Sequence, residues 1–203
     1  MSPQIKVTYF DTAGRTEFIR LAFAAGDVAF EDERVTFADF PALKPTLPLG
    51  QLPLLTVDGK VYLQSMAIAR YAGRLGGLYP SDPLEALQID TIIECLSEIL
   101  DAVVDLRWNA PDPLIKAEKI KTLQGGKIPK VFGVVDSAIK GKFLLGDYLC
   151  LADLFLYSLH AYFLSSAAFG EIYPSVSAFP KIAAVVENVK ANPQVAAYLA
   201  KRS

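Results

Sequence analysis

GQLPLLTVDGKVYLQSMAIARY, the stretch from Gly50 to Tyr71, decides the fold of this chain. Two short apolar runs flank Asp58-Gly59, a pair that tolerates positive φ at both turn positions and is a strong hairpin signal. An amphipathic pattern follows Ser65, and we expect Ser65 to be the N-cap of a helix, because its hydroxyl can accept a backbone N–H of the first turn. The stretch therefore predicts two antiparallel strands that lead directly into a helix.

The junction between the second strand and this helix is a candidate binding site. Gln64 and Ser65 lie where free backbone N–H groups and the positive end of the helix dipole point outward, which favours a carboxylate. Pro53 opens the first strand, and a cis Leu52–Pro53 bond would turn the Leu52 backbone outward to pair with an extended peptide. Taken alone, an ordinary hairpin before an ordinary helix is the simpler interpretation.

The residues before this stretch predict a β-α-β unit. Ile5–Phe10 alternates apolar and polar side chains and predicts a strand. Arg15–Ala25 carries an apolar helical stripe, and Phe30–Val35 predicts a second strand. Phe37–Leu49, which contains three prolines, is expected to be irregular. The order β-α-β and then β-β-α predicts a mixed sheet covered by helices, a thioredoxin-like arrangement.

The sequence after the linker Leu78–Pro83 predicts helices. A long helix is expected from Leu84 to Trp108, with an acidic face typical of a solvated surface. The acidic residues of that face are Asp90, Glu94, Glu98, Asp101 and Asp105. The later predicted helices are Leu114–Leu123, Pro129–Ile139, Leu151–Ser165 and Pro180–Ala191, with a short turn at Val195–Ala200. We therefore expect an α+β fold, with a thioredoxin-like βαβ-ββα domain at residues 1–79 and an all-helical domain at residues 84–203.

Composition indicates a compact globular protein. Hydrophobic residues make up 52% of the 203 residues, and the net charge is −2 without a basic run, so we expect no nucleic-acid partner. Cys95 and Cys150 are predicted to be buried thiols of a reducing compartment. Asp153, three residues after Cys150, predicts half of a helix capping box. The N-terminus lacks the apolar core of a signal peptide, and the apolar region Leu149–Phe169 is interpreted as a core helix. We therefore expect a cytoplasmic protein with no membrane partner.

Several motifs, in order and at matching spacing, resemble the cytosolic glutathione transferases, above all the sigma class. They are Val7-Thr8-Tyr9-Phe10, Gly50-Gln51-Leu52-Pro53, Gln64-Ser65 with the helix to Tyr71, and Leu151-Ala152-Asp153. The resemblance covers essentially the whole chain. It implies a homodimeric glutathione transferase that joins reduced glutathione, its co-substrate, to small hydrophobic electrophiles in detoxification.

The resemblance implies two catalytic residues. Tyr9 would donate a hydrogen bond to the sulfur of glutathione, and Arg15 would add positive potential beside it. A free thiol has a pKa of about 8.5, and the thiolate is the nucleophile. To lower the pKa of the thiol by one unit, the protein must stabilise the thiolate over the thiol by about 1.4 kcal/mol. One charge-assisted hydrogen bond, roughly 1.5–3 kcal/mol, is strong enough to do this. The alternatives are a strand-end aromatic residue for Tyr9 and a surface helix residue for Arg15.

The resemblance also assigns the residues that bind glutathione. The γ-glutamyl carboxylate would lie on Gln64 and Ser65, and the cysteinyl unit would pair with the backbone of Leu52 beside Pro53. Lys44 and Gln51 would reach the glycyl carboxylate. Two further assignments are Phe40, at a position where the sigma class often has a tryptophan, and Glu98, which would approach the γ-glutamyl ammonium from the other subunit.

The acceptor-substrate pocket is the least fixed part of the resemblance. Its candidate residues are Phe10, Asp11, Ala13, Gly14, Asp105 and Trp108. No metal site is expected, because Ser97 replaces one of the acids that hold a metal in sigma-class prostaglandin synthases. Two alternatives remain: a glutathione-dependent isomerase of a prostaglandin endoperoxide, and a non-catalytic crystallin-like or ligand-binding protein on the same fold.

Overall fold

The computed structural model describes residues 3–109, 112–169, 172–173 and 175–202. Within them, one mixed sheet contains strands β1 (Ile5–Phe10), β2 (Glu31–Val35), β3 (Leu54–Val57) and β4 (Lys60–Tyr62), in the order β2-β1-β3-β4. β1 is parallel to β2 and antiparallel to β3, and β3 is antiparallel to β4. The turn between β3 and β4 has positive φ at Asp58 (48°) and Gly59 (81°). The predicted hairpin and the predicted mixed sheet are confirmed.

Three helices belong to this half of the chain: α1 (Glu17–Ala25), α2 (Phe40–Leu43) and α3 (Ser65–Leu75). A 3₁₀ turn, Gly14–Thr16, precedes α1, and another, Lys44–Thr46, follows α2. The segment that we expected to be irregular thus contains two short helical turns. Each has a proline in its first positions, where the fixed φ of proline suits a helix and the missing N–H costs nothing.

The start of α3 differs from the prediction in one respect. Helix α3 begins at Ser65 itself, and Gln64 occupies the cap position with φ 72° and ψ 108°. No side chain caps this end of the helix, so the prediction of Ser65 as N-cap is wrong. Because no side chain accepts them, the N–H groups of the first turn are available to a ligand.

The second half of the chain is helical in its described residues. Its helices are α4 (Pro83–Trp108), α5 (Pro113–Thr122), α6 (Ile128–Ala138), α7 (Leu151–Leu159), α8 (Pro180–Lys190) and α9 (Pro193–Arg202). The turn expected at Val195–Ala200 is a longer helix, because Pro193 opens it and the Asn192 side chain accepts the N–H groups of Gln194 and Val195. The helix expected over Leu151–Ser165 is α-helical only as far as Leu159, and a π-helical turn follows at His160–Leu164.

One hydrophobic core joins the sheet and the helices. Phe18 of α1 packs on Phe155 of the buried helix α7, with ring centroids 4.7 Å apart. Asp153, also on α7, accepts the N–H groups of Cys150 at 2.8 Å and Leu144 at 2.9 Å, which confirms the predicted half capping box. Burial raises the pKa of Asp153 to about 6. Within the described residues, no helix combines the length and hydropathy that crossing a bilayer requires.

Candidate functional site

A cavity of about 200 Å³ lies at the corner where the hairpin meets α3. The residues that line it come from the 3₁₀ turn Gly14–Thr16, the α2–β3 connection and the β4–α3 junction. They are Arg15, Leu49, Gln51, Leu52, Pro53, Leu63, Gln64 and Ser65. The structure therefore brings together six residues that the sequence singled out, and adds Leu49 and Leu63, which no local signal in the sequence marks.

The start of α3 gives the cavity a polar end. Ser65 and Gln64 present the N-terminal end of α3, where unpaired N–H groups and the helix dipole favour an anion. Pro53 is buried, and the Leu52–Pro53 peptide bond is cis. Such a corner can hold a carboxylate at the helix end and an extended peptide beside the Leu52 backbone.

Tyr9, near the end of β1, does not line this cavity but contacts Arg15, which does, and is only 8% exposed. Its Oη accepts the backbone N–H of Arg15 at 3.1 Å, so the phenol keeps its own proton for donation to another group. Burial is the largest influence on its pKa, which is raised above 10. At neutral pH the phenol is therefore protonated and acts as a hydrogen-bond donor.

Gly14 is a packing partner of Tyr9. It has φ +44°, and a Cβ at this position would lie 2.5 Å from both Cε1 and Oη of Tyr9. A side chain there would displace the tyrosine or the loop. The sequence predicts Gly14 as an acceptor-pocket residue, and the structure places it against the phenol.

Arg15 connects Tyr9 to the long helix α4. Its backbone N–H is bonded to the phenol, its side chain lines the cavity, and Nη2 donates to Asp101 Oδ1 at 2.6 Å. The Arg15 side chain is one-third exposed. A cation is thus held at the edge of the cavity by a carboxylate from the helical half of the chain.

The remaining predicted glutathione residues lie outside this cavity lining. Lys44 is exposed, and its aliphatic carbons lie near Gly50. Phe40 packs edge-on against Phe10 at 4.8 Å, and Phe10 stacks on Phe37 at 4.6 Å. Phe37 is 60% exposed and has no motif of its own, so the sequence did not identify it. Glu98 is exposed and forms an ion pair with Lys127 of the same chain at 3.1 Å.

The predicted acceptor residues come from the end of β1 and the loop after it, and from the end of α4. Asp11 is paired with Arg34 at 2.7 Å, and this hydrogen bond lowers the pKa of Asp11, while Asp105 is paired with Lys119 at 3.1 Å. Trp108 is 66% exposed at the end of α4. None of the predicted acceptor residues lines the 200 Å³ cavity: Phe10, Asp11, Ala13, Gly14, Asp105 and Trp108.

The described residues contain no group of three or more His, Cys, Asp or Glu side chains placed to hold a metal ion. A neutral phenol, a nearby guanidinium and a helix N-terminus together can bind an anionic peptide and stabilise a thiolate placed beside Tyr9.

Comparison with known proteins gives a consistent result over the whole chain. Residues 5–74 match the family "Glutathione S-transferase, N-terminal domain", and residues 98–202 match "Glutathione S-transferase, C-terminal domain". A glutathione S-transferase of Anopheles gambiae is 34% identical over 98% of this chain and 97% of its own. The hematopoietic prostaglandin D synthase of Gallus gallus is 31% identical with the same coverage. The structure of prostaglandin synthase D of Nilaparvata lugens superposes with a TM-score of 0.88, at 32% identity, over 99% of both chains.

Proposed function

Because this chain belongs to the glutathione S-transferase family, we propose that the cavity at the start of α3 binds reduced glutathione and that Tyr9 activates its sulfur. The enzyme is a glutathione transferase. The observation that carries the proposal is the contact between Tyr9 Oη and the backbone of Arg15, a residue that also lines the cavity. One loop thereby joins the phenol to the peptide-binding corner.

Glutathione fits the corner group by group in this proposal. The γ-glutamyl carboxylate lies on the first turn of α3 at Gln64 and Ser65, and the cysteinyl unit pairs with the Leu52 backbone beside Pro53. Gln51 and Lys44 take the glycyl carboxylate. Phe40 supplies an apolar wall without the indole N–H donor that a tryptophan would offer.

The reaction proposed is attack of the bound thiolate on a small hydrophobic electrophile. Tyr9 keeps its proton and donates a hydrogen bond from its phenolic O–H to the thiolate sulfur, and the Arg15 guanidinium stabilises the same negative charge. The electrophile lies toward the aromatic residues and the end of α4, where the residues proposed to contact it are Phe10, Asp11, Ala13, Gly14, Asp105 and Trp108. The Asp11–Arg34 pair supports this assignment, because it compensates the charge of a carboxylate that would otherwise be unfavourable beside an apolar substrate.

We further propose a cytoplasmic, sigma-class homodimer, with domains at residues 1–79 and 84–203. The acidic face of α4 would meet the other chain, so that Glu98 of the partner subunit approaches the γ-glutamyl ammonium. A mixed dimer tests this arrangement, with Glu98→Gln on one chain and Tyr9→Phe on the other. The site that keeps Tyr9 should bind glutathione with native affinity, and weak binding there would place the effect of Glu98 within its own chain.

A second candidate is isomerisation of a prostaglandin endoperoxide with glutathione as cofactor. The observation that favours it is the similarity to two proteins named as prostaglandin D synthases, at 31% and 32% identity. It uses the same Tyr9 and the same corner but another acceptor pocket. A third candidate, a non-catalytic crystallin-like or ligand-binding protein on the same fold, would not require the Tyr9–Arg15 contact.

One paired assay separates these functions. The purified protein is given glutathione with a panel of aryl halides, enones and epoxides, and in parallel a prostaglandin endoperoxide. We expect conjugation of at least one electrophile, with turnover lower by about one to two powers of ten in Tyr9→Phe. Isomerisation without conjugation would favour the second candidate, and neither reaction despite measurable glutathione binding would favour the non-catalytic role.

A further inference from the structure

An ionic cluster with a fully buried centre lies behind the loop between β1 and α1, here called the Tyr9 loop. Glu17 and Arg20, three residues apart on α1, both have side chains with 0% exposure. Burying charges costs free energy unless each one is paired and hydrogen-bonded. Their partners come from β2, the Tyr9 loop and the last helix, α9. The charged and phenolic members, here called the Arg20 cluster, are Glu17, Arg20, Asp32, Tyr198 and Arg202.

Arg20 holds both sides of the loop that follows Tyr9. Its Nη1 donates to the carbonyl oxygen of Thr12 at 2.7 Å, Nη2 donates to that of Phe10 at 3.4 Å, and Nε donates to Asp32 at 2.9 Å. The planar guanidinium has five donors in a fixed geometry, so these bonds constrain the loop backbone from one point. The same loop delivers the Arg15 N–H to Tyr9 Oη.

Glu17 connects Arg20 to the last helix. The carboxylate accepts hydrogen bonds from Tyr198 Oη at 3.1 Å and from Arg20 Nη1 at 3.4 Å. It also forms an ion pair with the guanidinium of Arg202. Burial raises the pKa of Glu17, whereas Arg202 and Arg20 lower it. Arg202 also lies over the ring of Tyr162, with its guanidinium carbon 4.8 Å from the centroid. Helix α9 therefore supplies two of the groups that satisfy the buried carboxylate.

We propose that Arg20 is a positioning residue for Tyr9, and that α9 completes the active site by holding Glu17 through Tyr198 and Arg202. None of these groups touches glutathione in this proposal; they set the loop geometry on which the Tyr9 hydrogen bond depends. The inference rests on the proposed function, because its readout is the glutathione thiolate.

The test uses Arg202→Gln in the full chain, with Lys201→Gln as the matched control, since Lys201 is an exposed neighbour in the same helical turn. The readouts are the pKa of bound glutathione, from ultraviolet thiolate absorbance, together with kcat, KM and the melting temperature. For Arg202→Gln we expect a bound-thiol pKa higher by about half a unit, a kcat about fivefold lower and a glutathione KM within about twofold of native. Lys201→Gln should change none of these, and Arg202→Lys should recover part of the kcat.

A lower melting temperature with native thiol pKa and native kcat would show that Arg202 serves stability alone, and would overturn the proposal. If Arg202→Gln does not fold, Tyr198→Phe removes one hydrogen bond and keeps the ion pair. A raised thiol pKa in Tyr198→Phe supports the proposal, and an unchanged one overturns it. Tyr9→Phe separates this proposal from the proposed function. A native thiol pKa in Tyr9→Phe would remove the proposed function, whereas a shift in Tyr9→Phe but not in Arg202→Gln would overturn the proposal about the Arg20 cluster and leave the proposed function intact.

Discussion

The proposed glutathione corner and the proposed acceptor side of the site are built in different ways. The corner, around Leu52 and Ser65, presents backbone groups at the ends of a strand and a helix, and its residues form one cavity. On the acceptor side, carboxylates such as Asp105 are already paired within the chain, and Trp108 is largely exposed. Recognition through the backbone depends on the fold, whereas recognition through side chains can change without altering it. We therefore expect substitutions at the start of α3 and substitutions at the end of α4 to differ sharply in their effect on glutathione affinity.

The largest effect should come from Gly14→Ala, at the contact between the loop and Tyr9. The new Cβ would lie 2.5 Å from the phenol, so Tyr9 or the loop must move. We expect kcat/KM to fall about 100-fold, since a misplacement of about 1 Å costs that much. Steady-state conjugation kinetics measure the effect.

Gly77→Ala is the matched control for this substitution. Gly77 also has positive φ, at 68°, but a Cβ there meets nothing within 4 Å. Both variants therefore carry backbone strain, and Gly14→Ala alone displaces Tyr9. Equal losses of activity in the two variants would mean that backbone strain, and not the position of the phenol, controls the rate.

Ser65→Ala should weaken glutathione binding about tenfold, which corresponds to the loss of one hydrogen bond to a charged group. Because Ser65 does not cap α3, we expect the melting temperature to stay within about 2 °C of native. Isothermal calorimetry and thermal unfolding measure the two quantities separately. A large loss of stability with native affinity would place the carboxylate away from the start of α3.

The same corner shows what the sequence could and could not reveal. The Asp58-Gly59 turn was predictable because it depends on the φ preferences of two adjacent residues. The start of α3 was missed by one residue, because Gln64 adopts a positive φ that its residue type does not suggest. The Arg15–Asp101 pair joins residues 86 positions apart, and no local pattern encodes such a contact.

Trp108→Ala should have the smallest effect and sharpen the contrast between the two sides. The side chain is 66% exposed, so we expect little change in stability and native affinity for glutathione. The KM for the electrophile should rise about threefold, because an apolar contact of that kind contributes roughly 1 kcal/mol or less when partly exposed. A loss of glutathione affinity in this variant would mean that the two sides of the site are not separable.

The central claim, that Tyr9 stabilises the thiolate of bound glutathione, is tested most directly by titrating that thiol. Thiolate absorbance of the complex is followed against pH in the native enzyme and in Tyr9→Phe, at saturating glutathione. We expect a bound-thiol pKa below the free value of about 8.5 in the native enzyme, and a pKa higher by about one to two units in Tyr9→Phe, with turnover lower by one to two powers of ten. A bound-thiol pKa that is the same in both proteins would contradict the account.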